Sequence, residues 1–124
     1  MPKVSKKTAE AIDIGVGKVY EQVTAEHEIA IMELHQDVDM APLLRGLPDD
    51  KCTCPHWGYV LSGEVTFTFT DHTERFEAGD GFYVGPGHSP AAVAGTEYVL
   101  FSPVEQAAVV NEVLERNLAA MQSA

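Results

Sequence analysis

The stretch WGYVLSGEVTFTFT, residues 57–70, decides the fold class. From Val65 to Thr70 it alternates strictly, with Val65, Phe67 and Phe69 on one side of an extended chain and Thr66, Thr68 and Thr70 on the other. Successive side chains of a strand point to opposite faces, so a period of two marks a strand with one buried and one solvated face. Ser62-Gly63 interrupts the run and supplies a turn, which divides the stretch into two strands.

The same signature extends outward in both directions. KVYEQV (18–23) and HEIAIMEL (27–34) are short, rich in β-branched residues and separated by a turn around Thr24 to Glu26, which predicts a hairpin. Downstream, TERFEA (73–78) and FYV (82–84) flank the turn AGDG (78–81), PGHSP (86–90) bends the chain, and Ala91 to Val93 and EYVLFS (97–102) supply the last strands. Gly63, Gly79 and Gly87 mark turns. About eight short strands at roughly 8 to 12 residue spacing, without helical segments between them, predict an all-β sandwich or barrel and exclude a βαβ arrangement. QDVDMAPLLRGLPDDK (36–51) carries two prolines and one glycine, and its Met40, Leu43, Leu44 and Leu47 predict a loop packed across one barrel end.

The two ends differ from this pattern. Residues 1–17 are expected to form a flexible N-terminal segment, 18–102 the barrel, and 103–124 a C-terminal amphipathic helix. That helix places Ala107, Val110, Leu114, Leu118 and Met121 on one face, for docking on its own barrel or, less readily, for a share in a dimer interface.

Length and charge bound the partners. A chain of 124 residues builds one domain. Its net charge is −11, and Lys3, Lys6, Lys7 and Lys18 crowd the start, so residues 19–124 hold 4 basic against 17 acidic residues, net −13. Such a body repels phosphate backbones and anionic bilayers, which argues against nucleic-acid and membrane partners. No secretory-type apolar segment follows the lysines, which predicts a cytoplasmic protein. Two cysteines cannot make a disulfide framework, and free thiols or metal thiolates are expected instead.

Both cysteines sit in CTCPH, residues 52–56. In an extended chain Cys52, Cys54 and His56 face the same way, and positions i and i+2 are about 6.5–7 Å apart, so Cys54 and His56 form the best metal-binding pair. Cys52 lies about 13 Å from His56 along a straight strand and joins only if the chain curls before Pro55. Trp57 and Tyr59 face the other way, towards packing between strands or subunits. His27, His35 and His72 read as surface or turn histidines.

YVLSGEV, then AGDGFYV about 14 residues on, then PGH, resemble in order and spacing the two motifs of the cupins. The resemblance spans about residues 18–102 and implies a double-stranded β-helix, the jelly-roll cupin barrel. Cupins usually hold a metal on His-x-His, a glutamate and a later histidine. Alignment on YVLSG puts Asp50 and Lys51 or Cys52 near the first two positions, His56 at the glutamate and Pro90 at the last, so the family's iron or manganese dioxygenase chemistry does not carry over. His88 shares strand parity with Pro90 and can point into the barrel from the opposite strand.

The expected metal ligands are therefore Cys52, Cys54, His56 and His88, with Gly58, Val60, Phe67, Phe69 and Tyr83 as pocket walls. Thiolate and imidazole donors favour zinc over iron, manganese or nickel as the divalent transition metal. The expected function is a small metal-binding cupin of unassigned reaction with room for a small-molecule ligand in the barrel. A non-catalytic ligand- or metal-sensing module and a metal-free interaction barrel are the alternatives. The resemblance also implies a homodimer formed through a sheet edge.

Overall fold

The alternation at 64–68 becomes a strand, Glu64–Thr68, whose Val65 and Phe67 are 0% and 1% exposed. The computed structural model describes residues 3–122. In chain order its strands are β1 (Ile12–Asp13), β2 (Gly17–Val23), β3 (His27–Leu34), β4 (Val38–Asp39), β5 (His56–Ser62), β6 (Glu64–Thr68), β7 (Thr73–Glu77), β8 (Gly81–Val84), β9 (Ser89–Ala92) and β10 (Glu97–Pro103). Two 3-10 turns, Ala41–Leu44 and Pro48–Asp50, lie between β4 and β5, and helix α1 (Val104–Gln122) follows β10.

The strands form two antiparallel sheets. A six-stranded sheet runs β1-β2-β3-β10-β5-β8, and a four-stranded sheet runs β4-β9-β6-β7. Their inner faces meet in a core of Leu34, Val60, Val65, Phe67, Phe82, Val84, Ala92 and Tyr98. This is the all-β barrel that the strand pattern predicts, in the jelly-roll form that the cupin resemblance implies, with the C-terminal helix expected from the apolar stripe. Strands β1 and β4, two residues each, are too short to leave a periodic signal.

Gly63 shows how local chemistry sets the β5–β6 turn. Its φ is +76°, which L side chains rarely adopt, and a Cβ there would collide with Thr96. The Thr96 hydroxyl accepts from Glu64 N at 3.0 Å and donates to Glu64 O at 3.1 Å, tying the β9–β10 connection to this hairpin.

The N-terminal segment meets the sheet. Ile12 pairs with Val19 and Asp13 with Lys18, while Lys6 Nζ bridges Glu33 and Glu97 at 2.8 and 2.7 Å. Residues 1 and 2 of that segment, and 123 and 124 of the helical one, lie outside the described residues. Among the described residues no helix is long and apolar enough to cross a membrane.

The barrel is packed at one end and hollow at the other. Over the hollow end, Ala107, Val110 and Val113 of α1 pack with Leu44, Leu47, Cys52 and Cys54, so the helix docks on its own barrel. Asn117 Nδ2 donates to the carbonyls of Leu43 and Arg45 at 2.8 and 2.9 Å and pins the 36–51 loop to the helix. The buried stripe differs from the one expected at its far end, where Met121 is 56% exposed.

Candidate metal centre

Three segments deliver the candidate donors to the hollow end. β5 begins only at His56, and residues 53–55 are not in a strand. Cys52 instead forms an isolated antiparallel bridge with His88: Cys52 N donates to His88 O at 2.7 Å, and Gly87 N to Cys52 O at 2.8 Å. Gly87, at φ +92°, turns the chain between β8 and β9 so that His88 enters the barrel wall. The chain then curls through Pro55 and returns Cys52 to His56, with Sγ to Nε2 at 3.6 Å.

One donor atom each from Cys52, His56 and His88 lies within 4.8 Å of the other two. Cys54 does not join them. The strand parity that pairs Cys54 with His56 fails because this segment is not extended, and the curl points Cys54 towards α1. There it is 0% exposed and its thiol donates to Pro55 O at 3.4 Å. The best sulfur–imidazole pair is thus Cys52 with His56.

The imidazoles are oriented by their other nitrogens. His88 Nδ1–H donates to Gly85 O at 2.6 Å, and His56 Nδ1 shares a hydrogen bond with Ser102 Oγ at 2.6 Å. The carbonyl partner leaves a lone pair on His88 Nε2, and the hydroxyl, which can accept as well as donate, allows the same on His56, as in metal sites whose second nitrogen is held by a carbonyl or hydroxyl. His88 is 0% exposed, and its Nε2 is the one fully buried side-chain N or O without a hydrogen-bond partner among the described residues. Leaving such an atom unpaired costs about 1–3 kcal/mol, which a bound cation would offset.

Electrostatics keep these groups neutral until a cation arrives. Burial, with the repulsion of His88, pushes His56 down to about 3, and burial also lowers His88. Burial pushes the Cys52 thiol up to about 11 and the Cys54 thiol up to about 12, the latter also raised by Cys52. A metal ion would supply the charge that deprotonates a buried thiol.

The donors open on a cavity of about 200 Å³. Its walls include Val19, Ala30, Met32, Leu100 and Phe67 from the barrel, and Leu44, Val110 and Leu114 from the capping elements. The expected pocket walls distribute differently. Phe67 lines the cavity, while Val60, 0% exposed, belongs to the packed core. Gly58 is covered by the Phe82 ring, which a Cβ at Gly58 would strike. Phe69 lies beyond the end of β6, stacked on His72 and near the edge of His88 at 6.1 Å. Tyr83 is not a pocket wall: strand parity gives the inward positions to Phe82 and Val84, and Tyr83 is 53% exposed against Trp57 on the outer face.

Two functional candidates escape the sequence pattern. Ser102 faces Glu28 across β10 and β3, and holds His56 from β5. Glu28 is half-buried in the cavity wall, and Asn111 Nδ2 of α1 donates to its Oε2 at 2.8 Å. Its sequence signal was a lone charge on the face that carries Ala30, Met32 and Leu34. The cavity therefore has a carboxylate one strand from the ring that Ser102 orients.

No family model matches the sequence, and no curated protein does. Solved structures do. An RmlC-like cupin from Shewanella frigidimarina is 22% identical with a TM-score of 0.55, over 80% of this chain and 87% of that one. The polyketide cyclase RemF from Streptomyces resistomycificus is 15% identical with a TM-score of 0.59, over 83% of this chain and 79% of that one. Bacillus subtilis oxalate decarboxylase, an enzyme with Mn(II) centres, is 16% identical with a TM-score of 0.57, over 83% of this chain and 30% of that one. At these identities the likeness shows the fold, which is that of a small cupin.

Proposed function

We propose that this cupin barrel holds one zinc ion on Cys52, His56 and His88, beside a cavity that receives a small-molecule ligand. The observation that carries the proposal is the orphaned, fully buried Nε2 of His88, within reach of a thiol and a second imidazole. Zinc is favoured over iron, manganese or nickel by the thiolate–imidazole donor set. The Mn(II) of oxalate decarboxylase belongs to that enzyme; here no carboxylate stands among the three donors.

Three protein donors leave a tetrahedral ion one further position, for water or a ligand atom from the cavity. When bound, the ion supplies Lewis acidity there. The protein's own part is to orient the imidazoles through Ser102 and Gly85 and to exclude water with the apolar wall. A ligand- or metal-sensing module is the second reading. It is favoured by Cys52 packing in one cluster with Ala107, Val110 and Val113, which carries a change at the donor directly to α1.

We further propose a cytoplasmic homodimer. Two free, buried thiols suit a reducing compartment. Tyr83, Trp57 and Phe101 lie in one cross-strand row on the outer face, exposed by 53%, 46% and 41%, with Tyr59 beside them at 45%. Such an apolar row supports a face, rather than an edge, as the contact with a second copy. Sedimentation of the wild type against Trp57→Glu tests it, with a monomeric wild type as the contrary result.

The metal proposal is tested by elemental analysis of protein purified without chelators. About one equivalent of zinc is expected, lost on His88→Ala. A wild-type chain that takes up no transition metal when dialysed against zinc would overturn it.

A further inference from the structure

We infer that the cavity's ligand is a small cation: an apolar body bearing an ammonium or amidinium nitrogen, which Glu28 binds with Glu21 beside it. The inference rests on the metal reading only for where the other end of the ligand lies.

The lining sets the class. Its charged members, apart from the histidines, are Glu21, Glu28 and Glu115, and no lysine or arginine faces the space. Glu28 accepts from Asn111 through one oxygen, and among the described residues neither its other oxygen nor Glu21 has a hydrogen-bond partner. Register places Glu21 opposite Ala30, two residues along β3 from Glu28, so the two carboxylates are neighbours on the inner face of the sheet. Burial, and for Glu21 the charge of Glu28 and Glu115, hold both carboxyls above their ordinary values. A cation between them relieves both costs.

A second feature points to a ligand in the same space when no metal is bound: His88 Nε2, 0% exposed and unpartnered, belongs to a residue of this cavity's lining. Between the two polar ends the wall is aliphatic, which calls for an apolar body. At the Glu28 end an anionic group would meet carboxylates with no basic side chain in the lining to counter them, and the chain's net charge of −11 steers anions away.

Benzylamine tests this by calorimetry on the full chain, zinc-loaded and metal-free, with benzyl alcohol and benzoate as controls. Benzylamine should bind in both forms and benzyl alcohol at least about tenfold more weakly, the loss typical of a charge-assisted contact. Glu28→Gln, which keeps an acceptor for Asn111, should weaken benzylamine at least about tenfold. Glu21→Gln, at an exposed position, serves as the second variant and should weaken it severalfold.

Equal affinity for the alcohol or benzoate, unchanged binding in both variants, or no benzylamine binding at all would overturn the inference. Zinc content of the same samples separates the two proposals. Zinc bound without benzylamine affinity overturns this one alone, whereas benzylamine bound by a chain that takes no zinc supports it and overturns the metal reading.

Discussion

Zinc affinity should rise about tenfold from pH 6 to pH 7, because one buried thiol must give up one proton to become a ligand. Burial pushes Cys52 from its ordinary 9.0 up to about 11, so the metal-free protein carries it protonated throughout that window. His56, pushed down to about 3, has no proton to lose there, and a second proton on His88 is disfavoured by burial and by the lack of any acceptor at its Nε2. One proton released per ion means one decade of affinity, about 1.4 kcal/mol, for each pH unit. If Cys54, pushed up to about 12, were also a ligand, two protons would leave and the rise would be about a hundredfold. The window ends where a zinc-bound water begins to ionise, near pH 7. Competition against a chromophoric chelator gives the slope, and calorimetry in buffers of different ionisation enthalpy counts the protons. A count of two, or of none, would refute the assignment of Cys52 as the single thiolate ligand.

Three substitutions probe the supports around the site. Ser102→Ala removes the 2.6 Å bond that orients His56 and should cost about 10–100-fold in zinc affinity by the same competition assay, with the fold retained. Cys54→Ala should leave zinc affinity within a fewfold of wild type while lowering stability by about 1–2 kcal/mol in urea unfolding, since the thiol packs with Ala107 and Val110 of α1 and stands outside the group of three donor atoms. Phe67→Ala, which empties the junction of packed core and cavity, should cost about 3–5 kcal/mol in the same unfolding measurement.

The strands were legible because their signal is local. HEIAIMEL, short and rich in β-branched residues, became β3 without adjustment, and Ser62-Gly63 marked the β5–β6 turn. The donor set was legible in part. His56, His88 and Cys52 come together, but the pairing of Cys54 with His56 assumed an extended chain through Pro55, where the backbone curls to bridge His88. Ser102 and Glu28 were illegible as site residues. Their place beside His56 depends on β10 lying between β3 and β5, and the Ser102–His56 bond spans 46 positions of the chain. Strand parity says which face a residue takes, and only the order of strands says whom it meets there.

X-ray absorption at the zinc edge of the loaded protein tests the central assignment most directly. One sulfur at about 2.3 Å with nitrogen donors at about 2.0–2.1 Å is predicted, the sulfur disappearing in Cys52→Ser and persisting in Cys54→Ala. Two sulfurs, or a sulfur that vanishes only when Cys54 is replaced, would contradict it.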